Sequence, residues 1–388
     1  MGSRKKIIPA NQVPYQIVTT SHAMQAAVKA LASAPKVGVD LEADSMYHYQ
    51  EKVCLLQLAT ADRCYVIDPL AFDNLDLLRP LFARPDVQKI FHGADYDVRS
   101  LYRDFKIVVN NLFDTQMASR FLGIRATSLE AVLHARFDVT LDKRFQRKDW
   151  SKRPLPSKMI EYGARDSLYL IALAEQLEAE LQDHARLTWV QEECRALSQV
   201  RPSSSDGLPL FLNFKGAGRL GPQSLAVLEA LLHYRNKIAR QKDRPLFKII
   251  SNQALLKLAT GKPSNLKQME KIEALSRKQI QWYGPDLITV IRNAVQTPQA
   301  DLPVYPRNKA PRLPPMIPER IRALRTWRDK KAAELKIDPT LLLTKAMLAA
   351  VAIAKPLSST KLNKIEELNE WRRQVLGQDI IHILKHTH

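Results

Sequence analysis

The residues best suited to chemistry are four acids and a tyrosine: Asp40 and Glu42 in KVGVDLEAD, Asp97 in FHGADYDVRSL, and Tyr162 with Asp166 in IEYGARDSLYL. Each sits in a segment that otherwise reads as apolar core. KVGVDLEA has the small and branched apolar residues of a strand, and side chains two apart on a strand share a face. Asp40 and Glu42 are therefore expected to project together from a central strand. Paired carboxylates in such a place are unfavourable unless a cation neutralises them. Their oxygens suit hard divalent cations, Mg²⁺ or Mn²⁺.

Tyr162 and Asp166 are four apart in SKMIEYGARDSLYLIALAEQLEAEL, whose apolar spacing predicts one helix from Pro156 to beyond Leu181. Residues at i and i+4 share a helix face. A phenol one turn from a carboxylate can orient a water while the carboxylate binds metal. Asp97 follows KIFHG, an apolar strand closed by a turn glycine, at the start of a predicted helix. Taken singly, each signal has an ordinary reading as a solvated acid or a chance pair. Their order, spacing and flanking residues in combination single them out. Asp44, Asp95 and Glu161 read as solvated or locally capping, and His92 as a hydrogen-bonded strand end rather than a nucleic-acid contact.

These motifs resemble the three exonuclease motifs of the DEDD superfamily, in the subclass with tyrosine in the third motif, and most of all bacterial ribonuclease D. Asp40 and Glu42 match the first motif, and Asp97 matches the second with His92 five residues ahead. Tyr162 and Asp166 match the third as Y-x-x-x-D, and the stretch Asp149–Leu170 is similar almost throughout. No position departs from the pattern, and the likeness covers roughly residues 13 to 195. The resemblance implies a two-metal 3′→5′ exonuclease. Asp40 would bridge both ions, Glu42 and Asp166 would complete the first, Asp97 would hold the second through water, and Tyr162 with Glu42 would orient the nucleophile. Two ions roughly 4 Å apart can clamp both ends of a phosphodiester displacement. With a reference pKa near about 10, tyrosine is a positioner rather than the base.

Several elements must position these residues. YQIVTT reads as a strand, and Ser21 caps a helix through AMQAAVKALA. KVGVDLEA, VCLLQLAT and RCYVIDP then form an expected antiparallel meander, followed by a helix at Leu75–Phe82, the strand VQKIFHG and the Asp97 helix. Helices run on from about Thr115 to Arg136. This order suits an α/β ribonuclease-H-like domain. Between Thr140 and Pro156, LDKRFQRKDWSKRPLP reads as an ordered loop, with Arg144, Arg147 and Lys148 as candidate phosphate contacts.

Charge divides the chain unevenly. Residues 1–200 carry 26 Lys+Arg against 25 Asp+Glu, whereas residues 201–388 carry 33 against 15, within a total of +19. The positive field lies in the C-terminal half and points to a polyanion held there. That half also repeats itself at an offset of 93. Tyr234-Arg235 matches Trp327-Arg328, Ala239 matches Ala332, Leu255 matches Leu348, Pro263 matches Pro356, and Gly284 matches Gly377, with one slip at Pro245 against Pro339. The first copy, with LHYRNKIARQKDRPLFKIISNQALLKLA, KPSN and WYGPDLI, resembles the HRDC domain, a small helical bundle that assists nucleic-acid binding; the second copy is a diverged version. Arg235, Lys237, Arg240 and Lys242, with Arg244, form its candidate phosphate-binding cluster. Aromatic residues are sparse there, which disfavours stacked single-strand readout.

The expected organisation is an exonuclease domain over 1–205, an HRDC domain over 210–296, an extended proline-rich linker over 297–315, and a second HRDC-like domain over 316–388. Three unspaced cysteines, Cys54, Cys64 and Cys194, predict free thiols in a reducing compartment and no zinc site. No run of 18 apolar residues, signal region or myristoylation motif stands out, so a cytoplasmic protein without a membrane partner is expected. The expected function is a metal-dependent 3′→5′ exoribonuclease releasing nucleoside 5′-monophosphates from RNA 3′ ends, acting as a monomer on tRNA precursors. The alternatives are a DNA exonuclease of the same superfamily, a non-catalytic nucleic-acid-binding protein, and an exosome-associated nuclease, which typically has one HRDC copy.

Overall fold

The computed structural model describes residues 14–141, 143–202, 207–306 and 314–387. The chain runs β1 (Tyr15–Val18), α1 (Ser21–Ala32), β2 (Lys36–Ala43), β3 (Val53–Ala59), β4 (Cys64–Ile67), α2 (Arg79–Ala83), β5 (Gln88–Phe91), α3 (Asp95–Phe105), β6 (Leu112–Asp114), α4 (Thr115–Phe121), α5 (Leu129–Phe137), α6 (Ser157–Leu168), α7 (Leu170–Asp183) and α8 (Leu187–Ser198). Two helical sets follow. The first is α9 (Pro222–Gln241), α10 (Leu246–Ile249), α11 (Asn252–Gly261), α12 (Leu266–Lys271) and α13 (Arg277–Val295). The second is α14 (Met316–Leu335), α15 (Pro339–Leu342), α16 (Lys345–Ala354), α17 (Ser359–Leu362) and α18 (Glu370–His386).

Of the described residues, 14–43, 53–202 and 314–387 form one compact unit, and 44–52 with 207–306 form another. The first holds a six-stranded mixed sheet in the order β1-β4-β3-β2-β5-β6. β2, β3 and β4 make the antiparallel meander, while β1 joins β4, β5 joins β2, and β6 joins β5 in parallel. Alternation divides β2 between two faces. Val37, Val39 and Leu41 enter the main apolar core, leaving Gly38, Asp40 and Glu42 on the opposite face. Helix α6 lies on that face, so close that a Cβ on Gly38 would meet the Ser167 carbonyl at 2.6 Å.

The second helical set belongs to this same unit. Trp371 stacks on Trp189 with centroids 4.7 Å apart and meets Phe121 edge-on. Glu192 accepts hydrogen bonds from the backbone N–H groups of Glu370 and Trp371 at the start of α18. Glu193 accepts from Asn369, from the Trp371 indole and from Arg372. The shared apolar cluster runs through Leu324, Leu348, Val351 and Leu376.

The other unit has its own core of Leu228, Leu231, Leu255, Leu258, Leu287 and Ile291. Ser251 caps α11, and Ser276 with Gln279 forms a capping box at α13. The 44–52 segment that follows β2 also packs here. Asp243 accepts from His48 Nδ1 (2.7 Å) and the Tyr49 N–H (3.1 Å), and Arg240 lies over the Tyr49 ring.

Two elements differ from their predicted form. The single helix expected from Pro156 past Leu181 is broken at Tyr169 into α6 and α7, because α6 seats on the carboxylate face of the sheet while α7 turns to pack on β2, β5 and α4. The expected extended linker begins with a 3-10 turn at Gln299–Asp301. Residues 307–313 of that linker, and 203–206 of the boundary before it, lie outside the described residues.

Candidate active site

Strand β2 sets Asp40 and Glu42 side by side, and α6 delivers Asp166 over them. Carboxylate oxygens of Asp40, Glu42 and Asp166 all lie within 4.8 Å of one another. Asp97 enters from the first turn of α3 and is buried, within electrostatic reach of Asp40 and Glu42. The α3 start is held by Asp114, whose carboxylate accepts from the Gly93 and Ala94 N–H groups and from Gln116 and Met117 at the start of α4. His92 bridges Thr115 Oγ1 (2.9 Å) and the Thr127 carbonyl (2.8 Å), a strand-end tie as its sequence position implies.

Burial pushes the Asp40 carboxyl up to about 6, against a smaller opposing effect from the Leu41 backbone N–H. Burial also raises Glu42, and the charges of Asp40, Asp166 and Asp97 raise it further. Asp97 is raised by burial, then by Asp40 and Asp114. Asp166 is raised by burial and Asp40, with Tyr162 and Arg165 acting in the opposite sense. Four acids raised together form a site short of positive charge. The Asp166 Oδ1 atom is buried with no hydrogen-bond partner among the described residues. An all-oxygen donor set with an orphaned carboxylate oxygen fits a hard divalent cation.

The Tyr162 phenol is hydrogen-bonded to Asp166, and its pKa is raised, by burial first and then by Asp166, Glu42 and Asp40. It stays a neutral hydroxyl, able to orient a water but not to act as a base. The loop before α6 walls it in. Phe145 meets the Tyr162 ring edge-on at 5.9 Å, and the buried Trp150 lies at 6.0 Å. Arg153 ties that loop to the sheet through Asp68 (2.6 Å to each carboxylate oxygen) and the Cys54 carbonyl (2.8 Å). Arg144, Arg147 and Lys148 are exposed on the same loop.

Sequence reading missed three supports. Asp114 bears an N-cap signature, an acid ending an apolar strand before Thr-Gln-Met, and was legible on that ground. Gln57 is fully buried opposite Asp40, with neither amide atom hydrogen-bonded among the described residues. Gly163 gives it room, since a Cβ there would meet Gln57 Nε2 at 2.5 Å. Neither of these two carried a sequence signal.

One expected contact is corrected. Arg235, placed in the phosphate-binding cluster, is buried at 6 % exposure and donates to the Ile250 carbonyl (3.1 Å) and Asn252 Oδ1 (2.6 Å). Its repeat partner Arg328 makes the matching bond to the Leu343 carbonyl (3.0 Å). A guanidinium used in this way pins the bundle and has no face left for a phosphate. Lys237, Arg240 and Lys242 remain exposed. All three cysteines are buried free thiols.

Residues 15–182 match the 3′–5′ exonuclease family model, and residues 224–291 and 318–384 each match the HRDC domain. Ribonuclease D of Granulibacter bethesdensis is 28% identical over 375 residues, 94% of this chain and 91% of that protein. Protein RRP6-like 2 of Arabidopsis thaliana is 30% identical over 305 residues, 75% of this chain and 35% of that protein. With RRP6-like 1 covered to 52%, the chain spans about a third to a half of the plant relatives it matches. The crystal structure of Escherichia coli RNase D, 23% identical, shares the fold over 96% of this chain and 99% of its own, with a TM-score of 0.73. The chain thus carries a 3′–5′ exonuclease domain followed by two HRDC domains, and over nearly its whole length it is similar to ribonuclease D.

Proposed function

We propose that this protein hydrolyses RNA one residue at a time from the 3′ end. The observation that carries the reading is the convergence of Asp40, Glu42 and Asp166, with the Tyr162 hydroxyl bonded to Asp166. Asp40, Glu42, Asp166 and Asp97 would hold two divalent cations, Mg²⁺ or Mn²⁺. Such ions acidify the attacking water and neutralise charge on the phosphate oxygens. Tyr162 and Glu42 orient that water in line with the scissile bond. Water oxygen bonds to phosphorus, the P–O3′ bond breaks, and the proton lost by water balances the one gained at the departing 3′ oxygen. The products are a nucleoside 5′-monophosphate and a chain one residue shorter, again ending in a 3′-hydroxyl. The positive C-terminal half would hold the RNA backbone. tRNA precursors with 3′ extensions, met by a cytoplasmic monomer, are the substrate class the family resemblance favours.

The test uses a 5′-labelled RNA with a single-stranded 3′ tail, with Mg²⁺ or Mn²⁺, beside a matched DNA strand, a 3′-phosphate-blocked RNA and the variant Asp40→Asn. A cation-dependent ladder shortening from the 3′ end, lost in the variant and on the blocked strand, is expected. Faster shortening of DNA would move the substrate class, and tight binding without any shortening would overturn the enzyme reading.

A further inference from the structure

Trp282, on α13, is the most exposed aromatic side chain among the described residues, at 60 %. Its neighbour Tyr283 is buried and meets it edge-on, at 6.2 Å and 71°. Lys242, at the end of α9, is fixed between them. Its Nζ donates to the Tyr283 hydroxyl at 3.0 Å, and lies 4.8 Å from the Tyr283 ring and 5.6 Å from the Trp282 ring. Tyr283 thus holds an ammonium over one side of an exposed indole. Exposed Arg277 and Lys278 stand one turn earlier on the same helix.

We propose that Trp282 and Lys242 form a nucleotide platform on the first helical domain, the indole stacking on a base of single-stranded RNA and the ammonium meeting an adjoining phosphate. The proposal rests on the exonuclease reading for its choice of polyanion. A planar π face beside a positioned cation matches a nucleotide on both counts. A purely apolar protein partner would leave the ammonium desolvated without a counter-charge. The surrounding charge agrees in sign, with 33 basic against 15 acidic residues over 201–388. The platform is particular to this copy. Since Gly284 aligns with Gly377, Trp282 aligns with Val375 and Tyr283 with Leu376, so the second domain lacks both rings.

The test is direct binding by the full chain in the presence of a chelator, with a short oligoadenylate and an abasic ribose-phosphate strand of equal length as probes. Of the five tryptophans, Trp150, Trp189 and Trp371 are buried and Trp327 is half-buried, so comparison with Trp282→Phe assigns the quenching to Trp282. Oligoadenylate should quench the wild-type emission, and Trp282→Phe should lose most of that quenching while binding within about threefold of wild type. Trp282→Ala should bind roughly tenfold more weakly, about 1.4 kcal/mol. The abasic strand should bind wild type about as weakly as oligoadenylate binds Trp282→Ala. Lys242→Met should flatten the log–log salt dependence by about 0.7, the contribution of one phosphate on a single strand. Wild-type affinity in Trp282→Ala, or equal binding of the abasic strand, overturns the platform, and leaves the catalytic reading intact if the wild type still shortens RNA. A wild type that binds no oligoadenylate overturns the platform, and only failure to shorten RNA with Mg²⁺ or Mn²⁺ overturns the catalytic reading as well.

Discussion

Buried charge is handled in opposite ways in two regions of this molecule. In the helical domains the buried arginines are bonded to backbone carbonyls, although the Nε atoms of Arg235 and Arg320 have no hydrogen-bond partner among the described residues. Arg372 donates to the Leu341 and Leu342 carbonyls (2.8 and 2.7 Å) and pairs with Glu193, while Arg235 and Arg328 bond carbonyls at matching places in the repeat. In the carboxylate cluster, four acids repel one another and Asp166 Oδ1 has no partner among the described residues. Satisfied charge holds a fold in one conformation. Four carboxylates held in mutual repulsion favour a ligand of opposite sign, which arginines bonded to carbonyls do not.

The comparison breaks most visibly if the unsatisfied side proves structural. Asp166→Asn should slow RNA hydrolysis by roughly 10⁴-fold, because charge stabilisation worth several kcal/mol is lost. It should not lower the urea midpoint of the metal-free protein; a folding defect of matching size would place Asp166 with the arginines. On the satisfied side, Arg372→Met takes the guanidinium from half-buried Glu193 and the donors from the Leu341 and Leu342 carbonyls, and should remove about 1–3 kcal/mol of stability in equilibrium unfolding. A loss under about 1 kcal/mol would make that ion pair decorative.

A third difference is thermodynamic. The Asp40 carboxyl is raised to about 6, so the folded metal-free protein keeps this proton to higher pH than the unfolded chain does. Its contribution to stability is therefore full below about pH 4 and is lost as pH rises through about 6, by about 3 kcal/mol at about 1.4 kcal/mol per tenfold difference in proton affinity. Urea unfolding between pH 4.5 and 6.5 should show that slope in wild type, a shallower one in Asp40→Asn, and a reversal on adding Mg²⁺. The smallest effect belongs to spacing. Gly163→Ala drives a methyl toward Gln57 and should lift α6 slightly, at about 1–3 kcal/mol of stability and about tenfold in rate. An unchanged rate would show that Tyr162 and Asp166 tolerate that displacement.

Much of the site was legible because strand and helix periods are short-range facts. Asp40 and Glu42 at i and i+2, and Tyr162 and Asp166 at i and i+4, each needed only one element to be recognised. The meander was readable for the same reason. Arg235 reads as a phosphate contact because charge alone does not say whether a helix face is outside or inside; Arg328 at the same place in a strongly diverged repeat is the better clue. Gln57 and Gly163 were invisible since they matter only through each other, across about a hundred residues of sequence. Trp282 carries no sequence signal of its own, because one exposed ring beside one fixed lysine is a matter of placement.

The stacked Trp189 and Trp371, with Glu192 and Glu193 gripping the first turn of α18, also bear on how the chain responds to being cut. Cleavage between residues 306 and 314 removes a covalent connection but none of those contacts. The fragment carrying α14–α18 should therefore stay bound to the sheet domain and co-elute with it. Supplied separately, it should restore solubility to a chain ended before residue 314, whose uncovered indole and acidic pair would otherwise meet water. The second helical domain is in this sense a lost half of the catalytic core, tethered by sequence but retained by packing.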